Sequence, residues 1–255
     1  MKVYPVQLNM LWQDKAHNLA RVEKLVSSLE AEPGSLIVLP EMFATGFSMQ
    51  VDVTAQTTER ESEELLRRLA SKTDCCILGG VVSPSEDGQA ANEAVAFAPN
   101  GDELVRYRKQ QPFSMFGEGE KYPAGEVYKI FHWHGIKISP FICYDLRFPE
   151  LFRPAALAGA ELIVVIACWP AVRSEHWVRL LQARSIENLA AVVGVNRCGE
   201  EPNLTFDGRS TGFDHLGNQL FEFDSNEQTA SCEIDIGPLR KWRETFPALR
   251  DAKRV

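Results

Sequence analysis

Apolar residues form two kinds of pattern along the first part of the chain, short continuous runs and a helical repeat. Short apolar runs bounded by turn residues predict strands. The first of these runs is KVYPVQLN, where Pro5 indicates an edge strand or an early position in a strand. After Asp14, which can cap a helix, apolar residues repeat about every 3.6 positions. The apolar face of this predicted helix consists of Leu19, Val22, Leu25, Val26 and Leu29.

The next segments predict strands that are joined partly by hairpins. The strands GSLIVLPE and CCILGGVV flank a second predicted helix in TERESEELLRRLASK. Asn100-Gly101 separates two strand-like runs and predicts a tight turn. A second hairpin is predicted in VYKIFHWHGIKISPFIC, with its turn near His134-Gly135. Between the two hairpins, residues 109–125 show no periodicity, so we expect a loop.

Helices and strands alternate after the second hairpin. Helices are expected in PELFRPAALAG and RSEHWVRLLQARSIEN, and buried strands in AELIVVIACWP and AAVVGVN. The last third adds predicted hairpin strands in RSTGFDHLGNQLFEFD and TASCEIDI, and a terminal helix near PLRKWRETF. A doubly wound parallel sheet needs a helix between almost all strands, whereas here several neighbours are joined by hairpins. The pattern therefore favours an α/β fold of two sheets with helices outside. We expect a single domain over residues 1–255 with a C-terminal tail from about residue 236.

Composition and charge narrow the classes of partner and the compartment. The net charge is -8, which argues against electrostatic binding to nucleic acid or to an anionic membrane. No apolar run approaches the roughly 20 residues that span a bilayer, and we expect no signal peptide at the N-terminus. The six cysteines include no CxxC pair, so a zinc site is not expected. Reduced thiols in the cytoplasm are the simplest interpretation.

Three predicted strands end at a reactive or ionisable residue, namely Glu41, Lys109 and Cys143. Taken singly, each has an ordinary interpretation: a solvated carboxylate, an exposed basic strand end and a small core residue. If the three meet, Glu41 can take the proton of the thiol, and Lys109 can stabilise the thiolate and then an oxyanion. Such a site would cleave an amide or a nitrile through a thioester. A Cys-His dyad with His176 is a weaker alternative.

The same three segments carry a resemblance. LPEMFATGF, YRKQQPF and ICYDLRFPELFR resemble the Glu, Lys and Cys motifs of the nitrilase superfamily of carbon–nitrogen hydrolases, in the same order. WPAVRSEHWVRLLQARSIEN and GVNRCG resemble the region downstream of that family's cysteine, and the likeness continues to about Ile234. The resemblance implies a four-layer α-β-β-α sandwich of two mixed sheets. It also implies Cys143 as nucleophile, Glu41 as base and Lys109 as oxyanion stabiliser, with no metal or organic cofactor.

The resemblance also suggests supporting residues. A second family glutamate corresponds to Glu118 or Glu120, and the spacing from Gly125 favours Glu118, although either can be a solvated carboxylate. The backbone N–H of Tyr144 is expected to face the oxyanion. Two positions depart from the family pattern. Cys168 stands where many members have asparagine, which puts a polar role there in doubt and suggests a filler. Gln111 stands near the place of a frequent histidine.

Within the superfamily the chain looks most similar to omega-amidases. Those enzymes hydrolyse the terminal amide of acids of the 2-oxoglutaramate type, giving the 2-oxo diacid and ammonia. Such a substrate is anionic at one end, so we expect a further cation in the pocket. The candidates are Arg147 and Arg173, for which a structural ion pair and a solvated helix start are the competing interpretations. Phe116, Tyr144 and Trp169 are candidate pocket walls, although aromatic residues are more often plain core.

Other functions remain open at this point. Nitrilases and hydrolases of N-carbamoyl amino acids or carbamoyl polyamines have a similar triad. A non-catalytic binding or scaffold protein on the same fold is an alternative from another class. A thiol redox protein is a weaker third possibility. Members of the superfamily commonly form homodimers or larger assemblies, and the terminal segment PLRKWRETFPALRDAKRV is either part of such an interface or a solvated tail helix.

Overall fold

Most of the predicted periodic segments form the expected elements in a computed structural model that describes residues 1–84 and 89–252. The strands in this part of the chain, numbered in order, are β1 (Lys2–Gln7), β2 (Leu36–Val38), β3 (Cys76–Pro84), β4 (Ala90–Phe97), β5 (Glu103–Arg108), β6 (Phe131–Trp133), β7 (Ile136–Ile142), β8 (Leu162–Ala167), β9 (Ala191–Asn196), β10 (Cys198–Glu201), β11 (Leu204–Asp207), β12 (Thr211–Phe213), β13 (Gln219–Glu222), β14 (Gln228–Thr229) and β15 (Cys232–Glu233). The α-helices are α1 (Lys15–Ser27), α2 (Val51–Thr54), α3 (Glu61–Thr73), α4 (Glu118–Lys121), α5 (Pro149–Leu157), α6 (Ser174–Asn188), α7 (Gly237–Thr245) and α8 (Ala248–Asp251). Three 3₁₀ turns cover Ser114–Phe116, Cys143–Arg147 and Ala171–Arg173.

Two mixed sheets form the centre of the molecule. The first has the order β14-β1-β2-β3-β4-β5, with β15 also paired to β1, and the second has the order β13-β12-β9-β8-β7-β6. In each sheet three strands run parallel. These are β1, β2 and β3 in the first sheet and β7, β8 and β9 in the second. Strands linked by hairpins add antiparallel partners. The hairpins predicted at Asn100-Gly101 and His134-Gly135 connect β4 to β5 and β6 to β7.

The alternation of side chains along the first sheet explains the layers. Val3 and Val38 belong to the apolar core that the two sheets share. Tyr4 and Ile37, one position away, point to the opposite face and pack with α1 and α3 residues such as Val22. The helices α5 and α6 contribute buried residues to the core on the second sheet. The four-layer α-β-β-α sandwich is confirmed.

Pro5 lies inside the first sheet, so the expectation of an edge strand is wrong. β2 pairs with one side of β1, while β14 and β15 pair with the other side at Val6–Gln7 and Lys2–Val3 respectively. Pro5 falls opposite the break between these two short strands, where its missing N–H leaves no ladder bond unmade. The segment TASCEIDI also differs from its prediction, because its strands pair with β1 and not with each other as a hairpin.

Two further segments are more closely integrated into the fold than their predictions as a loop and a tail indicate. The region predicted as a loop contains the 3₁₀ turn Ser114–Phe116 and the helix α4. In the predicted tail, Leu239 of α7 is fully buried, and Arg240 forms an ion pair with Glu161 at 2.6 Å. The helix α7 is therefore held against the body of the protein. Residues 253–255 of the tail lie outside the described residues.

Candidate active site

The three predicted residues meet at neighbouring strand ends. Glu41 follows β2, Lys109 follows β5 and Cys143 follows β7, so the first two come from one sheet and the thiol comes from the other. Lys109 Nζ donates to Glu41 Oε1 at 3.0 Å, and both side chains are buried. Cys143 and Lys109 line the same pocket. The sandwich thus places a carboxylate, an ammonium and a thiol together, although they lie far apart in the sequence.

Close packing of the backbone fixes the loop that carries Glu41. Phe43 N donates to Gly80 O, and Gly80 N donates to Pro40 O, both at 3.1 Å. A Cβ at position 80 would lie 2.6 Å from the Glu41 Cα. Only glycine allows β3 to approach the loop this closely.

Glu118 completes the charge cluster, and it comes from the segment that was predicted to be a loop. Lys109 Nζ donates to both Glu118 oxygens at 2.9 Å. Phe113 N donates to Glu118 Oε2 at 2.6 Å. Glu118 is fully buried, whereas Glu120 is exposed. Of the two candidates, only Glu118 therefore contacts Lys109.

Asn92 belongs to the same cluster and was missed in the sequence. Its side-chain Nδ2 donates to Glu41 Oε1 at 2.8 Å and to Glu118 Oε1 at 3.0 Å. Its backbone carbonyl accepts from Lys109 N at 3.0 Å, where β4 ends its pairing with β5. An asparagine in the middle of an apolar strand was the available clue, because a buried amide requires partners.

Burial and mutual charge decide the resting protonation of the cluster. Burial lowers the pKa of Lys109, but the carboxylates of Glu41 and Glu118 outweigh it and hold this pKa well above its usual value. Burial, followed by the Glu41 carboxylate, raises the pKa of the Cys143 thiol, and Lys109 only partly offsets this effect. The resting site therefore holds an ammonium and a neutral thiol, so the thiol needs a base when it reacts.

The backbone at Cys143 is unusual, and Asp145 supports it. Cys143 has a φ of 46°, in the left-handed region, at the start of the 3₁₀ turn. The buried Asp145 carboxylate accepts from Ile142 N at 2.9 Å, Tyr107 Oη at 2.7 Å and Gln111 N at 2.8 Å. Burial raises the pKa of Asp145 to about 6, against hydrogen bonds that lower it. Asp145 thus ties the cysteine turn to the segment beside Lys109. The sequence interpretation missed this role.

Cys168 has a polar function in the site, mainly through its backbone. Cys168 N donates to Glu41 Oε2 at 2.9 Å, and its thiol donates to the Glu41 carbonyl at 3.3 Å. The Cys143 thiol lies 3.9 Å from the Cys168 carbonyl oxygen. The position therefore has polar contacts despite the departure from asparagine: the backbone N–H contact does not depend on the residue type, and the thiol adds a contact to the Glu41 carbonyl.

A pocket opens above the thiol and includes all the predicted wall residues. Its cavity has a volume of about 40 Å³. Its lining residues are Phe47, Lys109, Phe113, Phe116, Cys143, Tyr144, Arg147, Cys168, Trp169, Pro170, Arg173, Leu204 and Phe206. Four lining residues were missed, because their place at the pocket depends on the tertiary arrangement: Phe47 and Phe113 lie in loops, and Leu204 and Phe206 lie on β11.

The two predicted arginines carry unneutralised charge at this pocket. Within residues 1–84 and 89–252, neither Arg147 nor Arg173 forms an ion pair with a carboxylate. Arg147 lies over the Trp169 ring at 4.9 Å, and Nη2 donates to His176 Nδ1 at 3.1 Å. Burial, then the neighbouring Arg173 charge, lowers the pKa of Arg147. The pocket therefore has a cationic wall suited to an anionic group.

Neither a metal-binding cluster nor a membrane-spanning helix is found among the described residues. Among the described residues, no group of three or more His, Cys, Asp or Glu side chains is arranged to hold a metal ion. No helix in the same residues is both long enough and apolar enough to cross a membrane.

His176 is exposed and contacts Arg147, so the geometry gives the Cys-His alternative no support.

The fold and the site together define the class of α-β-β-α proteins with a thiol, a carboxylate and an ammonium at adjoining strand ends. The family profile described as carbon-nitrogen hydrolase matches residues 3–244. This chain belongs to the carbon–nitrogen hydrolase family, and the prediction of that family is confirmed.

Individual relatives agree with this assignment over their full length. The omega-amidase YafV of Yersinia enterocolitica is 36% identical, covering 100% of this chain and 97% of that protein. A 2-oxoglutaramate amidase of Bacillus subtilis is 30% identical, covering 98% and 96% respectively. A solved structure from Xanthomonas campestris, of a CN-hydrolase superfamily protein with an arsenic adduct in the active site, matches with a TM-score of 0.92. It is 30% identical and covers 100% of this chain and 98% of that one.

Proposed function

We propose that this protein is an omega-amidase. It hydrolyses the terminal amide of a small 2-oxo acid amide, of the 2-oxoglutaramate type, to the 2-oxo diacid and ammonia. The observation that carries the proposal is the buried cluster of Glu41, Lys109 and Glu118 beside Cys143, beneath a pocket with two arginines. The names of the Yersinia and Bacillus relatives support the same substrate class.

The first half of the proposed reaction forms a thioester. Glu41 takes the proton of the Cys143 thiol as sulfur attacks the amide carbon. Lys109 and the backbone N–H of Tyr144 stabilise the resulting oxyanion. An ammonium group has three N–H donors. When one faces Glu41 and one is shared between the two Glu118 oxygens, the third is left for the oxyanion. The C–N bond then breaks, and Glu41 returns the proton to the departing ammonia.

The second half restores the enzyme. Glu41 takes a proton from water as the water oxygen attacks the thioester carbon. The C–S bond breaks, and the proton returns from Glu41 to the Cys143 sulfur. The net reaction consumes one amide and one water and gives one carboxylic acid and one ammonia. No other reactant is required.

The polarity of the pocket suggests how the substrate is oriented. Arg147 and Arg173 would bind the carboxylate and 2-oxo end, while the amide end lies at Cys143. The aromatic walls, Phe116, Tyr144 and Trp169, would enclose the short carbon chain between the two ends. An apolar wall with a few convergent polar groups is the usual form of a small-molecule site.

An ammonia-release panel tests the proposed substrate class. It contains 2-oxoglutaramate, 2-oxosuccinamate, glutamine, asparagine, a carbamoyl amino acid and a simple nitrile. We expect the 2-oxo acid amides to give the highest kcat/KM. A response restricted to carbamoyl compounds or to nitriles would reject the omega-amidase assignment in favour of those activities. Absence of turnover on every compound would favour a binding or scaffold role.

The arginine wall gives a prediction about specificity. We expect Arg147→Ala and Arg173→Ala each to lower kcat/KM for 2-oxoglutaramate about tenfold or more, because a charge-assisted hydrogen bond is lost. The same variants should hydrolyse a neutral aliphatic amide nearly as well as the parent protein. Steady-state kinetics on both substrates measures the difference. Arg179→Ala is the matched control, since this exposed arginine lies on α6 outside the pocket lining. Equal losses on charged and neutral amides would refute the assigned orientation.

We also propose that the protein is cytoplasmic and forms a homodimer through its helix layer. Exposed apolar residues in and near α6 and α7, among them Ile186, Leu216 and Phe246, support such an interface. Sedimentation equilibrium of the purified protein tests the homodimer, and a monomer at micromolar concentration would contradict it.

Reduced free thiols after isolation from intact cells are expected for the proposed cytoplasmic compartment, and disulfide-linked protein would oppose it.

A further inference from the structure

Asn92 has a neutral side chain that joins both carboxylates of the buried cluster. Its Nδ2 donates to Glu41 Oε1 and to Glu118 Oε1, the same two oxygens that accept from Lys109 Nζ. The two carboxylate oxygens are therefore bridged twice, once by a cation and once by an amide. This arrangement fixes the separation of Glu41 and Glu118 on either side of Lys109.

We propose that Asn92 is a positioning residue of the reaction, which holds Glu41 in place to accept the thiol proton. The inference rests on the proposed function and assigns a role to a residue outside the Glu-Lys-Cys set. Asn92 acts through Glu41 and is not among the residues that line the pocket. The residue type matters because an amide can donate to the Glu118 carboxylate as well as to Glu41 without adding a charge.

The charge balance explains why a neutral donor suits this position. Glu41, Glu118 and Lys109 together carry a formal charge of about −1 when all are ionised. A second cation in place of Asn92 would neutralise that charge and weaken Glu41 as a base, since a nearby positive charge stabilises the carboxylate form. An apolar residue would leave two carboxylates with a single shared cation. An amide avoids both outcomes.

The orientation of the Asn92 amide agrees with a donor role. Asn92 is 1% exposed, yet its Oδ1 has no hydrogen-bond partner among the residues that the structure describes. A buried acceptor without a partner destabilises the folded state. The fold tolerates this cost at a site where both N–H groups face carboxylates. Asn188 of α6 also has a buried, unpartnered Oδ1, but its Nδ2 donates to Arg184 O and Glu187 Oε1, away from the site.

The test compares Asn92→Leu with Asn92→Ala. Leucine has the same branched outline as asparagine, with larger methyl groups, and removes the donors. A packing role therefore predicts that leucine restores more activity than alanine, whereas a positioning role predicts a loss in both variants. We expect both variants to lose about 10- to 100-fold in kcat with KM within about twofold, the loss that follows from a hydrogen bond to a charged group. The rate of Cys143 alkylation by iodoacetamide, measured by peptide mass, should fall by a similar factor.

Asn188→Leu is the matched control and should leave both rates unchanged. Circular dichroism checks folding, and the alanine variant keeps the test available if the leucine variant does not fold. Near-parental kcat and alkylation in Asn92→Leu would overturn the inference. The alkylation comparison does not require amide turnover, so failure of the proposed function and failure of the Asn92 role give different results.

Discussion

Replacing Cys143 with alanine is expected to abolish ammonia release from 2-oxoglutaramate, with a loss of at least about a thousandfold in kcat/KM. The reason is that the Cys143 thiol lies beside a carboxylate, Glu41, that can take its proton. The other described thiol in the pocket, that of Cys168, donates to a backbone carbonyl instead. Cys143→Ser should be similarly inactive, because a hydroxyl is a much weaker nucleophile than a thiol beside the same base. An ammonia assay on the purified variants measures the loss.

Folding should survive the same change. Alanine and serine carry no more bulk than cysteine at the left-handed φ of 46°, so thermal unfolding should shift by no more than a few degrees. Cys232→Ala is the matched control, since Cys232 is buried in β15 outside the pocket lining and its loss should leave turnover intact. Near-normal ammonia release by Cys143→Ala would show that the nucleophile is another group.

Replacing Lys109 with methionine is expected to remove activity and also to destabilise the protein. Lys109 is 2% exposed and is the cation between the buried carboxylates of Glu41 and Glu118. Removing one partner of a buried ion pair leaves uncompensated charge and costs about 3–5 kcal/mol. For a chain of this length we expect a fall in Tm of roughly 10 °C, because each kcal/mol shifts Tm by about 2–4 °C. Thermal unfolding followed by circular dichroism measures it.

A second variant separates the two effects of Lys109. In Lys109→Met/Glu118→Gln one unpaired carboxylate is neutralised, so part of the lost stability should return while activity stays absent. Lys2→Met is a control for lysine loss in general, because the Lys2–Glu32 pair is partly exposed and such pairs contribute about 0–1 kcal/mol. If Lys109→Met retained the parental Tm, the buried cluster would not carry the charge state described here.

The sequence was sufficient to predict three strand ends that carry functional groups, but their spacing did not show that they meet. Glu41, Lys109 and Cys143 each follow a predicted strand, and the ends of strands are where an α/β fold presents functional groups. The resemblance to carbon–nitrogen hydrolases added the order of the layers and the second glutamate. Strands and turns can be predicted in this way because they depend on hydrophobic periodicity and turn residues within a few neighbouring positions.

Other parts of the site depend on contacts between distant segments. Asn92 and Asp145 lie in runs that read as ordinary strand and turn, and their partners come from elements far away in the chain. The role of Cys168 resides mainly in its backbone N–H, which the residue type does not reveal. Pro5 shows the same limitation for the fold, since its place inside the sheet depends on where two C-terminal strands break. Such contacts require the tertiary arrangement.

The proposed mechanism rests on one covalent intermediate at Cys143. The most direct test mixes the parent protein with 2-oxoglutaramate, quenches the reaction in acid within the first turnover and measures the intact and peptide masses. We expect the peptide containing Cys143 to gain the mass of the substrate less ammonia, and we expect Cys143→Ala to gain nothing under the same conditions. Rapid ammonia release without any adduct on Cys143, or an adduct on a different residue, would contradict the thioester mechanism.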